Sequence, residues 1–225
     1  GIIIFNNKEK SFFKNVKFQY LNGIDNIKNK SIIHGALNFH EADVVMKSVE
    51  FTNINAEDGL NIFRSNFELN DLIFKEIFSD AVDFDFSNGT LSNSKFENIG
   101  NDAIDFSGST SNVNFVYGVN INDKFISAGE KSIVNLDNIH IEKSYAGIVS
   151  KDGSNVQVKK IQFDNVKYHY GSYIKKREYP KASMILSKFD EKYNILNDKK
   201  SSVLFDRKLV GKINKDVLKI FNERN

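Results

Sequence analysis

An internal repeat of about 22 residues constrains the fold of this chain more than any other feature of its sequence. Gly35-Ala-Leu-Asn-Phe39, Asp58-Gly-Leu-Asn-Ile62, Asp80-Ala-Val-Asp-Phe84, Asp102-Ala-Ile-Asp-Phe106, Lys124-Phe-Ile-Ser-Ala128 and Ala146-Gly-Ile-Val-Ser150 align as one series. Its central apolar residues, Leu37, Leu60, Val82, Ile104, Ile126 and Ile148, are spaced 23, 22, 22, 22 and 22 residues apart. A second series begins at Phe51, Phe74, Phe96 and Phe163, with Ile139 and Ile141 between. Apolar pairs such as Val44/Val45, Phe67/Leu69, Val113/Phe115, Val134/Leu136 and Val156/Val158 supply a third. Each repeat therefore reads as three short strands and no helix.

Three strands in 22 residues cannot bury their own inward side chains, but stacked copies bury them in one continuous core, at a spacing of about 4.8 Å. The expected fold is all-β: a single-stranded right-handed parallel β-helix of about 7–8 coils. A leucine-rich repeat needs a Leu-x-x-Leu-x-Leu consensus that is absent, and propeller blades are about twice as long. The sequence suggests a β-helix over residues 1–190 and a C-terminal cap over 191–225. Ile4 and Phe18 precede Leu37 and Phe51 by 33 residues, which places an insertion near Gly23 to Ile33. Val217, Leu218 and Phe221 at helical spacing predict a short amphipathic helix closing the open end of the core.

Composition narrows the function. The 31 Lys and Arg against 29 Asp and Glu leave only +2, too balanced for a chain that neutralises many phosphates, so no nucleic-acid partner is expected. With no cysteine there is no disulfide scaffold, thiolate zinc site or Cys nucleophile, and the four His include no pair at metal spacing. No run of about 18 apolar residues predicts a transmembrane segment. The chain opens inside an apolar run, Ile2-Ile-Ile-Phe5, and reads as a monomeric piece of a longer protein with further domains.

The chemistry is expected on the outer side of the first series. Alternation along a strand turns Asn38, Asn61, Asp83, Asp105 and Ser127 outward as an exposed column, with His40, Asp85 and Ser107 beside it. Asp83 and Asp85 lie about 7 Å apart along a strand, and Asp83 and Asp105 about 5 Å apart across rungs. Carboxylates so close do not all ionise unless a cation or basic side chain compensates. Asp83, Asp85, Asp105 and Arg64 are the candidate catalytic groups. Asn38, His40, Asn61, Lys124 and Lys151 are the candidate substrate-binding groups, and the three aspartates could also hold Ca²⁺, with no cofactor strictly required. Asp58, Asp80 and Asp102 stand at a coil corner and read as turn residues, as do Asn53, Asn98 and Asn165. His169, between Tyr168 and Tyr170, reads as packing.

The segments Gly35 to Asp43, Glu57 to Ser65, Ser79 to Ser87 and Gly100 to Gly108 resemble the β-helix repeats of the pectate-lyase-like superfamily. More narrowly, they are similar to the β-helix domains that accompany bacterial spore-coat-H-type kinase modules. The resemblance implies a secreted or cell-envelope protein whose partner is a polysaccharide or other glycan. It assigns no reaction, since neither the polygalacturonase set nor the Asp-Pro-His motif of alginate epimerases is present. Two functions are open: processing of a polysaccharide by a hydrolase, lyase or epimerase reaction, or a non-catalytic rod that binds a glycan or a partner.

Overall fold

A computed structural model describes residues 1–23 and 34–222, so the insertion expected near Gly23 to Ile33 lies, apart from Gly23, outside the described residues. The chain winds into a β-solenoid of about eight turns, with 18 strands joined in one sheet among the described residues. Leu37 pairs with Leu60, Leu60 with Val82, Val82 with Ile104, Ile104 with Ile126 and Ile126 with Ile148. All of these ladders are parallel; the antiparallel pairing is the late hairpin of Ser202–Phe205 with Lys208–Val210.

The second and third strands are continuous in most repeats, and separate in the one that holds Asn155–Val158 and Ile161–Tyr173. Asn66–Ile77 and Asn88–Ile99 each run 12 residues and Thr110–Gly129 runs 20. The bends that the solenoid needs fall on single residues in the left-handed backbone region, in three columns. Ser48, Asp71, Asn93, Phe115 and Asn138 form one. Asn53, Glu76, Asn98, Asn120, Lys143 and Asn165 form the second, and Glu41, Arg64, Phe86, Gly108, Glu130 and Asp152 the third. In the first two columns the left-handed residue turns the chain inside a continuous strand, whereas in the third each strand ends just before it; Asn tolerates that conformation best of the non-glycine residues. Asn53, Asn98 and Asn165 are thus corner residues, as their spacing predicts. Asn120 also donates to Asn98 at 2.8 Å, and Asn98 to Glu76 at 2.6 Å, binding one coil to the next.

Inside, the ladder from Leu37 to Ile148 is fully buried. Phe51, Phe74 and Phe96 stack ring on ring at 4.7 and 4.9 Å, tilted by 4°. Gly118 follows Phe96 in register, and Phe125 fills the vacated space edge-on to Phe96; a Cβ on Gly118 would stand 2.0 Å from the Phe125 ring.

The C-terminal helix forms at Val217–Asn222. Its buried residues, Val217 and Phe221, pack with Ala146, Val149, Tyr173 and Leu196 in a cluster separate from the main core. Val149 follows Ser127 in register on the outward side of the sheet, so the helix covers the last coils of the outer face instead of plugging the end of the core. Parallel stacking runs past residue 190, with Tyr170 paired to Ile195 and Met184 to Val203.

Candidate functional site

The strands Asp58–Phe63, Asp80–Asp85 and Ile104–Ser107 lie on consecutive rungs and bring their carboxylates together. Asp58 pairs with Asp80, Asn61 with Asp83, Asp83 with Asp105 and Phe63 with Asp85. The result is a cleft of about 370 Å³ lined by Asp58, Asp80, Asp83, Asp85 and Asp105, with Phe63 and Phe86 at its edge. His34 and Glu57 complete the rim, their side chains 2.8 Å apart. Asp83, Asp85 and Asp105, separated by up to 22 residues, therefore share one site, as the repeat predicts.

Within the cleft the acids differ in partners. The Asn61 amide donates to Asp58 at 3.4 Å and to Asp85 at 3.2 Å. Asp80 Oδ1 accepts from the Asn101 amide at 2.7 Å and the Asp102 backbone N–H at 2.8 Å. Asp83 Oδ1 is buried without a hydrogen-bond partner. Burial, reinforced by the charges of Asp85 and Asp105, holds the Asp83 carboxyl well above the usual carboxylate range. Burial and then Asp80 and Glu57 do the same to Asp58. Burial followed by Asp102 pushes Asp80 up to about 8, and burial raises Asp85 against the Asn61 hydrogen bond. Asp80 thus keeps its proton at neutral pH, and burial favours the protonated form of Asp58, Asp83 and Asp85 as well.

Two buried lysines supply the rest of the compensation. Lys124 Nζ lies 3.3 Å from Asp102 and 2.5 Å from Asp123. Burial pulls its ammonium down, but the two aspartates outweigh it and hold Lys124 above the lysine range. Lys151 lies across Gly129, where a Cβ would come within 2.8 Å of its side chain, and reaches Asp105 at 3.7 Å. Asp105 overcomes burial there too, so Lys151 stays cationic. Among the described residues no group of three or more His, Asp or Glu side chains is arranged to hold a metal ion.

Asn61 is thus a buried member of the cleft, bonded to two of its acids, but other expected members are elsewhere. Asn38 and Asn61 are 1% exposed and Ser127 is buried, so this part of the column is not an exposed ladder. Asn38 folds back on its own strand start, accepting from the Gly35 N–H at 2.8 Å and donating to the Gly35 carbonyl at 2.6 Å. Arg64 occupies a left-handed corner, which carries its guanidinium away to Glu41 at 3.7 Å and over the Phe63 ring. His40 is sandwiched between the rings of Phe5 and Phe63 at 4.7 and 4.6 Å. Strand alternation says nothing about a corner residue, so it does not bring Arg64 to the acids.

Sequence reasoning also passed over real members. Asp58 and Asp80 line the cleft rather than serving only as corner residues, and Asp102 is the partner of Lys124. Their exact 22-residue spacing to one another was visible, but it fits a turn and a site equally well. Comparisons with protein-family models, with curated proteins and with solved structures found no match. The structure bears out the parallel β-helix, and no match supports the expected link to pectate-lyase-like proteins or to spore-coat-H-type kinase modules.

Proposed function

We propose that this β-helix is a carbohydrate-directed module of a secreted or cell-envelope protein, binding or processing a polysaccharide in the cleft around Asp83. The observation that carries this reading is the unpartnered, buried Asp83 oxygen on the floor of a carboxyl-lined cleft edged by Phe63 and Phe86. A sugar presents hydroxyl donors to carboxylates and apolar C–H faces to aromatic rings, and the cleft offers both. In this reading Asp83, whose protonated form burial favours, donates to a glycosidic oxygen, while Asp105 on the next rung, opposite the ammonium of Lys151, acts as base or nucleophile. In-register neighbours about 5 Å apart suit a retaining hydrolysis better than an inverting one.

Product analysis over a panel of neutral and uronic-acid polysaccharides tests this, with Asp83→Asn as the comparison. Processing predicts cleavage or epimerisation of one polymer, with the variant slowed by about 100-fold or more, the scale of a lost general acid. The second reading, a glycan-binding rod, is favoured by the rung-to-rung bonds that hold Asp80 and Asp102 in the scaffold. It predicts retention of a glycan with no change in it. If no polymer is either altered or retained, the carbohydrate assignment is wrong.

A further inference from the structure

A second hollow, of about 510 Å³, lies outside the acidic cleft and shares no lining residue with it. Arg177, Lys199, Lys200 and Lys215 converge on it from three separate segments, and Asp198 is its one acidic side chain. Both Asp198 oxygens are already occupied: Oδ2 accepts from the Ile174 N–H at 2.8 Å, and Oδ1 from the N–H groups of Lys200 at 2.7 Å and Ser201 at 2.5 Å. These bonds pin the Lys199-Lys200 turn against the end of the strand Ile161–Tyr173. The third segment is tied in as well, by the Asn214 N–H donating to the Asn197 carbonyl at 2.8 Å.

None of the four cations forms an ion pair among the described residues, whereas neighbouring Lys176 is drawn off to Glu130. Four like charges around one concavity repel each other unless an anion joins them. The imbalance is regional: residues 174–225 hold 14 Lys and Arg against seven Asp and Glu, while residues 1–173 hold 17 against 22.

We propose that this hollow is a binding site for a phosphate group, gripped by Arg177 and the three lysines. Four cations beside one acid match a dianion better than a single carboxylate. An arginine fork with several ammonium groups is also the recurrent donor set for phosphate oxygens. A single hollow fits one phosphate ester, or one unit of a phosphate-bearing polymer, rather than a nucleic-acid track.

The test titrates the whole chain with inorganic phosphate, inorganic tripolyphosphate and polygalacturonate, following amide shifts by NMR. The site predicts phosphate-dependent shifts at Lys199, Lys200 and Lys215. It also predicts affinity at least tenfold weaker in Arg177→Ala/Lys200→Ala and unchanged in Lys47→Ala, whose lysine lies on a coil strand. Tighter binding of tripolyphosphate than of inorganic phosphate identifies a chain-borne ligand, and equal affinity a free one. Absence of binding, equal binding of polygalacturonate, or affinity unaffected by the double substitution overturns the proposal. The result is independent of the acidic cleft, because Asp83→Asn leaves this hollow intact.

Discussion

Asp83 is the residue at which fold and chemistry conflict most directly. Its ladder position is dictated by the repeat, but the structure gives one of its oxygens no partner and places other acids beside it. A carboxyl whose folded pKa lies above its unfolded value binds its proton more tightly in the native state. Stability is unaffected where both states are protonated, and it falls as pH rises from about 4 toward the folded pKa. With Asp80 at about 8 and Asp83 also raised, the window runs from about pH 4 to pH 8. His169 acts oppositely, since burial lowers its pKa and removes a destabilising proton as pH rises, so the comparison must be between variants. Asp83→Asn is expected to raise the melting temperature at pH 8 and to change it little at pH 4. Parallel pH profiles for variant and parent would refute the assignment of a buried proton to Asp83.

At the scale of the element, the corner between the site-bearing strand and the next one is held by a column that the sequence reading overlooked. Ser65, Ser87, Ser109, Ser132 and Ser154 recur every 22 or 23 residues and are all buried. The Ser65 N–H donates to Ser87 Oγ at 3.1 Å, Ser87 to Ser109 at 2.9 Å, Ser109 to Ser132 at 3.0 Å and Ser132 to Ser154 at 3.1 Å. Each hydroxyl thus satisfies a backbone donor of the preceding coil just where the chain leaves the sheet pattern. Ser109→Ala leaves the buried Ser87 N–H unpaired and is expected to cost about 1–3 kcal/mol in urea unfolding. A cost under about 0.5 kcal/mol would mean that water replaces the hydroxyl. The column has the period of the repeat, but serine is common in loops and its spacing carries no apolar signal.

Across the whole molecule, coils touch only their neighbours, so stability is close to a sum of local terms and nearest-neighbour contacts. The C-terminal helix is one such local term. Phe221 is fully buried, stacks on Tyr173 at 5.6 Å and lies over Gly171, while the Tyr145 hydroxyl donates to the Ile220 carbonyl at 2.8 Å. Phe221→Ala removes about 3–5 kcal/mol of packing from that end. Hydrogen exchange is therefore expected to speed up over the strands around Ala146–Tyr173 and to stay unchanged around Leu37–Phe84. Uniform acceleration would show that the solenoid opens as a single cooperative unit.

The repeat is legible because a parallel stack demands one inward residue per strand per coil, and Leu37 through Ile148 meet that demand in plain sequence. The same period brought Asp83, Asp85 and Asp105 together, since register follows directly from spacing. The Asn corners were legible too, but the corner column that holds Arg64 and the close approaches between coils were not. Arg64 leaves the site because of one left-handed residue, Asn38 disappears into a backbone bracket, and Lys151 enters the site because Gly129 leaves room above it. The amino-acid sequence determined the solenoid and the rung on which each acid sits, because those depend on periodic burial alone. Which acids keep their protons, which lysines reach them and where the terminal helix lies were decided by the folded coils, because they depend on distances that only packing sets.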